Sequence, residues 1–142
     1  MRLHKDTNNE VNSFRQHKDT GEKKPTRYYS SRQEQSVAQA VGGKQTANSG
    51  ATMFQKGDVI INEDTTKWSL ECKTKTSDCD SISVKKEWFD KNRSESIFMK
   101  TDYTAVVISF GPSSENIYCI DENTFKEMKH ALNICKANNL ID

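Results

Sequence analysis

The chain has 142 residues, enough for one domain with a real core and too few for two independent ones. Only 33% of its residues are hydrophobic while 29% are charged, so the apolar surface cannot order the whole length and part of the chain is expected to be disordered. With 21 basic and 20 acidic residues the net charge is +1, which excludes a globally basic nucleic-acid binder but leaves room for a local basic face.

Residues 1–29 read as a flexible basic arm ahead of a single domain over 30–142. The arm has few large apolar side chains (Leu3, Val11, Phe14, Tyr28, Tyr29) to offset the entropy of ordering it. Its His4-Lys5-Asp6-Thr7 recurs as His17-Lys18-Asp19-Thr20, too short for a structural repeat. Through Arg32 it carries eight Lys/Arg against four acids, a net of +4. The opening MRLHKDTNNE has no apolar signal core, and no run approaches the ~18 apolar residues of a membrane helix, so the expectation is a cytoplasmic protein with no membrane partner.

Ser31-Arg32-Gln33-Glu34 has capping-box spacing, and Val37, Ala38 and Val41 follow on one side of a helix that Gly42-Gly43 stops. A loop from Lys44 to Gly50 leads to a β-branched strand, Asp58-Val59-Ile60-Ile61, and the polar turn Asn62–Thr66 predicts a hairpin. The returning strand alternates, with Trp68, Leu70 and Cys72 on one face and Ser69, Glu71 and Lys73 on the other. Ser83 is placed to cap a second helix that presents Val84, Trp88 and Phe89 inward and runs toward Met99. Tyr103–Phe110 reads as a strand buried on both faces, and Gly111-Pro112-Ser113-Ser114 turns it back into Ile117-Tyr118-Cys119-Ile120. Asp121 or Asn123 then caps a last helix whose Phe125, Met128, Leu132 and Cys135 form a stripe expected to lie against the sheet. The fold class is α/β: a central mixed sheet flanked by helices in the order α-β-β-α-β-β-α.

The hairpin brings charge together. A turn of about six residues after Ile61 sets Asp58 roughly opposite Glu71, with Lys73 two residues on along the same face. Opposed carboxylates repel unless a cation lies between them, so this placement points to a metal site. Oxygen donors favour Mg²⁺, which takes one or two carboxylates together with phosphate oxygens. The four cysteines, at 72, 79, 119 and 135, form no CxxC pair and match no common zinc knuckle, so they are expected to be reduced and free of metal-thiolate chemistry.

Asp58 followed by Glu71-Cys72-Lys73 as E-x-K, with Glu34 on the helix upstream, resembles the PD-(D/E)xK nuclease superfamily. The Asn48-Ser49-Gly50 loop before the strand aspartate and the apolar-basic helix after the E-x-K strand resemble its archaeal and phage Holliday-junction resolvases, over roughly residues 30 to 130. The resemblance implies a restriction-endonuclease-like core and a Mg²⁺-dependent endodeoxyribonuclease, with Mn²⁺ able to substitute, acting as a homodimer on branched DNA such as a four-way junction; a phage-encoded chain would act in the host cytoplasm. It further implies that Asp58, Glu71 and the Cys72 carbonyl bind the metal and that Lys73 positions the attacking water. Glu34 would complete the site, and Ser49 would touch the scissile phosphate. Lys44, Lys75, Lys85, Lys86 and Lys91 are the candidate phosphate contacts. The chain departs from the pattern at Gly57, which stands where proline usually precedes the aspartate, and in its near-neutral charge. Each assignment has a plainer competitor: Glu34 as partner of Ser31 in the capping box, Ser49 as turn chemistry, the lysines as a solvated helix face. The rival functions are a duplex-specific restriction or repair nuclease and a DNA-binding module that keeps the fold without catalysis.

Overall fold

A computed structural model of the chain describes residues 23–46 and 57–142. The elements are α1 (Thr26–Val41), β1 (Lys44–Gln45), β2 (Val59–Asn62), β3 (Lys67–Thr74), α2 (Lys86–Met99), β4 (Tyr103–Ser109), β5 (Asn116–Cys119) and α3 (Glu122–Ala137). The predicted α/β order holds, with one addition. The short β1 joins the edge of the sheet through Lys44↔Ile60 and Gln45↔Val59.

The five strands lie in chain order, β1-β2-β3-β4-β5. All neighbours are antiparallel except β3 and β4, which run parallel with Leu70 beside Ala105 and Cys72 beside Val107. A parallel pair needs a crossover, and α2 supplies it. Strand alternation gives the sheet two faces with different chemistry. On one, Val59, Ile61, Leu70, Cys72, Ala105 and Val107 pack with Val37 of α1 to form the core. On the other, α2 meets the sheet through polar side chains. Asn92, 1% exposed, donates from Nδ2 to the carbonyls of Ser69 (3.3 Å) and Ala105 (3.1 Å), and its Oδ1 accepts from the buried Ser69 hydroxyl at 3.2 Å.

Three expectations change. α1 starts at Thr26 behind Pro25, so residues 26–29 of the predicted arm are its first turn, while residues 1–22 lie outside the described residues. Ser31 is therefore inside the helix and forms no capping box; proline, with no N–H to satisfy and φ fixed at −64°, begins the helix a turn and a half earlier. Ser83 does not cap α2 either, because the helix begins after Lys85 and Val84 is left 46% exposed. Finally, the α3 stripe is not buried on the sheet: Phe125, Met128 and Leu132 are 58%, 50% and 49% exposed. α1 already covers that face, and only Met128 reaches an apolar groove of about 290 Å³ lined also by Val41, Ile61, Trp68, Leu70 and Tyr118. α3 is held by polar contacts instead: at its start Asp121 Oδ1 accepts from Thr124 N at 2.8 Å and Asp121 Oδ2 takes Arg93 at 3.2 Å, and further along Glu127 accepts from the Tyr103 hydroxyl of β4.

Candidate active site

The β2–β3 hairpin brings the predicted carboxylates to one place. Val59 pairs with Leu70, so Asp58, one residue earlier, stands level with Glu71. The Asp58 main chain continues the ladder, its N–H donating to Leu70 O at 2.9 Å, while its carboxylate Oδ2 accepts from Cys72 N at 2.7 Å. Two bonds to one strand fix the carboxylate against β3. The glycine before it has a conformational reason to stand where the nucleases that the sequence resembles usually have proline. Gly57 has φ +84°, which proline cannot adopt, and a Cβ there would come within 2.5 Å of Ser69 Oγ.

Glu71 is only 4% exposed, and its burial is balanced by two lysines. Lys73 Nζ lies 2.9 Å from Glu71 Oε1, and Lys91 Nζ approaches the same oxygen from α2 at 3.9 Å. The Lys73 ammonium also sits 5.4 Å from the centre of the Trp88 ring, a cation–π contact that shields it on the α2 side. Burial alone would lower the Lys73 pKa, but the hydrogen bond and charge of Glu71 outweigh it and raise the pKa above the usual lysine value. Lys73 is held charged.

Asp58 responds in the opposite sense. Burial first, then the Glu71 charge, push its carboxyl up from 3.8 to about 6; the Cys72 N–H pulls it down, Glu34 adds to the rise and Lys73 opposes it. Two carboxylates thus share a half-buried site that resists a second negative charge, the condition that binding a divalent cation relieves. Cys72 contributes no thiolate. Its side chain points into the core at 5% exposure, and burial, reinforced by the Asp58 charge, pushes the thiol far above the usual cysteine range, so only its main-chain carbonyl could face a metal. Among the described residues no group of three or more His, Cys, Asp or Glu side chains is placed to hold a metal ion. The set here is smaller, Asp58 and Glu71 with a carbonyl, and it fits Mg²⁺, which keeps waters and takes phosphate oxygens for the rest.

Glu34 comes to the rim of the site on α1. Its Oε2 accepts from Gln45 Nε2 of β1 at 2.8 Å, and its charge is felt at Asp58. With no capping box at Ser31, that competing role for Glu34 falls away. Ser49 lies outside the described residues. The lysines divide: Lys91 turns toward Glu71 and Glu95, the latter at 3.8 Å, while Lys86 pairs with Asp90 at 2.6 Å and Lys85 with Glu87 at 3.8 Å. Lys44 and Lys75 are exposed, Lys44 on β1 and Lys75 just past β3.

Two contributors, Trp88 and Gln33, escape the sequence reading. Trp88, expected in the core, shields Lys73, and Lys91, expected as a phosphate contact, reaches Glu71 from three residues on; their common α2 face is the signal that could have joined them. Gln33 is 6% exposed and stands in the same helical row as Val37 and Val41, a polar side chain in an apolar stripe. The basic charge is also relocated. Residues 1–22 hold four basic and four acidic side chains, so the net +4 belongs entirely to Lys23, Lys24, Arg27 and Arg32, at and just before the start of α1. There Tyr28 OH accepts from Lys24 at 3.2 Å and Arg32 at 3.3 Å, building a cationic-aromatic surface on the helix that carries Glu34. Comparison with family models, curated proteins and solved structures gives no match.

Proposed function

We propose that the chain is a Mg²⁺-dependent DNA endonuclease of PD-(D/E)xK type, acting on branched DNA such as a four-way junction. The observation that carries this reading is the hairpin register: Asp58 level with Glu71, and Lys73 on the same face 2.9 Å from the Glu71 carboxylate. Asp58, Glu71 and the Cys72 carbonyl would hold the ion. A bound Mg²⁺ supplies Lewis acidity toward phosphate and water. The protein's own groups do the rest. Lys73, kept protonated by Glu71, orients the attacking water and offsets charge developing on the phosphate, while Trp88 limits the directions its ammonium can take. Glu34 adds an acceptor at the rim, and the basic surface from Lys23 to Arg32 gives the DNA backbone a track on α1.

Cutting both arms of a symmetric junction requires two sites, so a homodimer belongs to the proposal. The exposed apolar stripe of α3 and the groove beside it lie next to each other, which lets two copies exchange ridge for groove about a two-fold axis. The test is incubation of purified protein with labelled four-way junction, flap, duplex and single strand, with Mg²⁺, Mn²⁺ or chelator. Metal-dependent cutting with the junction preferred is the expected result. Preference for linear duplex would move the reading to a restriction or repair nuclease, and binding without cutting in either metal would leave a DNA-binding module.

A further inference from the structure

We propose that Gln33 is a positioning residue for Lys73, a buried amide on α1 that fixes the lysine's main chain on the β3–β4 seam and so holds the Lys73–Glu71 pair in place relative to Glu34. The importance of Lys73 for cleavage rests on the nuclease reading; the contact does not. Gln33 Nε2 donates toward Lys73 O at 3.0 Å, with Val107 O and Asn116 Oδ1 each at 3.3 Å. The three acceptors belong to β3, β4 and β5, so one side chain from α1 ties successive strands together at the end of the sheet where the site lies. An amide nitrogen has two hydrogens, so the shortest contact, to Lys73, is the one best made.

The other half of the amide argues for purpose. Gln33 Oε1 is buried without a hydrogen-bond partner, which works against stability. Leucine or methionine would fill the same volume in the row with Val37 and Val41 and bury no orphaned amide oxygen, but neither could direct a hydrogen bond at the Lys73 carbonyl, and Val107 O and Asn116 Oδ1 would lose the same donor. The next residue along α1 is Glu34. A single amide therefore sets the spacing between the helix that carries Glu34 and the strand end that carries Lys73.

The test uses the full chain and compares Gln33→Met, Gln33→Leu and a core control, Val41→Ala, which loosens α1 without touching the seam. The direct readout is competitive reductive methylation followed by mass spectrometry, scoring Lys73 against the exposed Lys67 of the same molecule. In the wild type Lys73 is protected by partial burial and by Glu71. Its methylation relative to Lys67 should rise severalfold in Gln33→Met, or in Gln33→Leu if the methionine variant does not fold, and stay unchanged in Val41→Ala. Single-turnover cleavage at saturating DNA should slow by about 10- to 100-fold in the Gln33 variants with DNA affinity unchanged, as expected when a catalytic group is displaced by a fraction of an ångström to an ångström. An unchanged methylation ratio, or an equal rise in Val41→Ala, overturns the positioning role whatever happens to cleavage. A raised ratio in a protein that cuts no DNA upholds the positioning role and overturns the nuclease reading instead.

Discussion

Replacing Asp58 with asparagine tests the metal site through stability rather than turnover. The Asp58 carboxyl titrates at about 6 in the folded protein against 3.8 for an ordinary side chain, because burial and Glu71 disfavour its charge. At neutral pH its ionisation therefore costs about 3 kcal/mol of folding stability. The sign follows from proton linkage. Below 3.8 the carboxyl is protonated whether the chain is folded or not, and the native state keeps its full stability; that stability is lost as pH rises through about 6, where the folded protein must give up its proton too. Asparagine keeps the shape and an oxygen to accept from Cys72 N, but carries no charge. Without metal at pH 7.5 the variant should melt roughly 10 °C above the wild type, as a change of that size gives in a domain of this length. The gap should narrow as the pH falls toward 4. If Asp58 and Glu71 hold the ion together as proposed, millimolar Mg²⁺ should then stabilise the wild type and do little for the variant. Melting temperatures of the two proteins across pH, with Mg²⁺ and with chelator, give all of these quantities. A variant no more stable than wild type in chelator at pH 7.5, yet still stabilised by Mg²⁺, would separate Asp58 from the ion and refute the reasoning.

Lys73→Ala should slow cleavage by on the order of 10²-fold or more while junction affinity barely changes, since one phosphate contact at most is lost; single-turnover rates and binding isotherms on the same substrate decide it. Deleting residues 1–22 should leave the salt dependence of DNA affinity nearly unchanged, whereas Arg27→Ala with Arg32→Ala should make it shallower by about two ions in a log–log plot, because the net charge sits at and just before the start of α1. Gly57→Pro should destabilise by more than about 2 kcal/mol in denaturant melts, since φ +84° is closed to proline. Asn92→Ala should cost about 2–3 kcal/mol, measured the same way, by removing an amide that serves the carbonyls of Ser69 and Ala105.

What the sequence made legible was what depends on short range and strict period. Alternation from Trp68 to Lys73 sorts side chains onto two faces, and the length of the turn sets the register, so Asp58 opposite Glu71 is legible in the sequence itself. Helix starts were less legible, because Ser31 and Ser83 both have the chemistry of a cap and neither is used. A serine shows that a helix can begin there; whether it does depends on whether the preceding residues also gain from being helical, as Thr26–Ser30 do behind Pro25. Apolar periodicity has the corresponding limit at longer range. It identifies the stripe Phe125, Met128 and Leu132 without saying whether this chain has a surface left to cover it, and here α1 holds that face of the sheet. On α2 the same rule fails the other way: its buried residues are Asn92, whose amide bonds to Ser69 and Ala105 of the sheet, and Ser96, whose hydroxyl bonds to Thr101 just past the helix. Polar residues in core-facing rows are invisible to a hydrophobic pattern and are the ones that hold strands at fixed spacing. Gln33 is the instance nearest the site: the side chain least expected in its row is the one that reaches the main chain of Lys73.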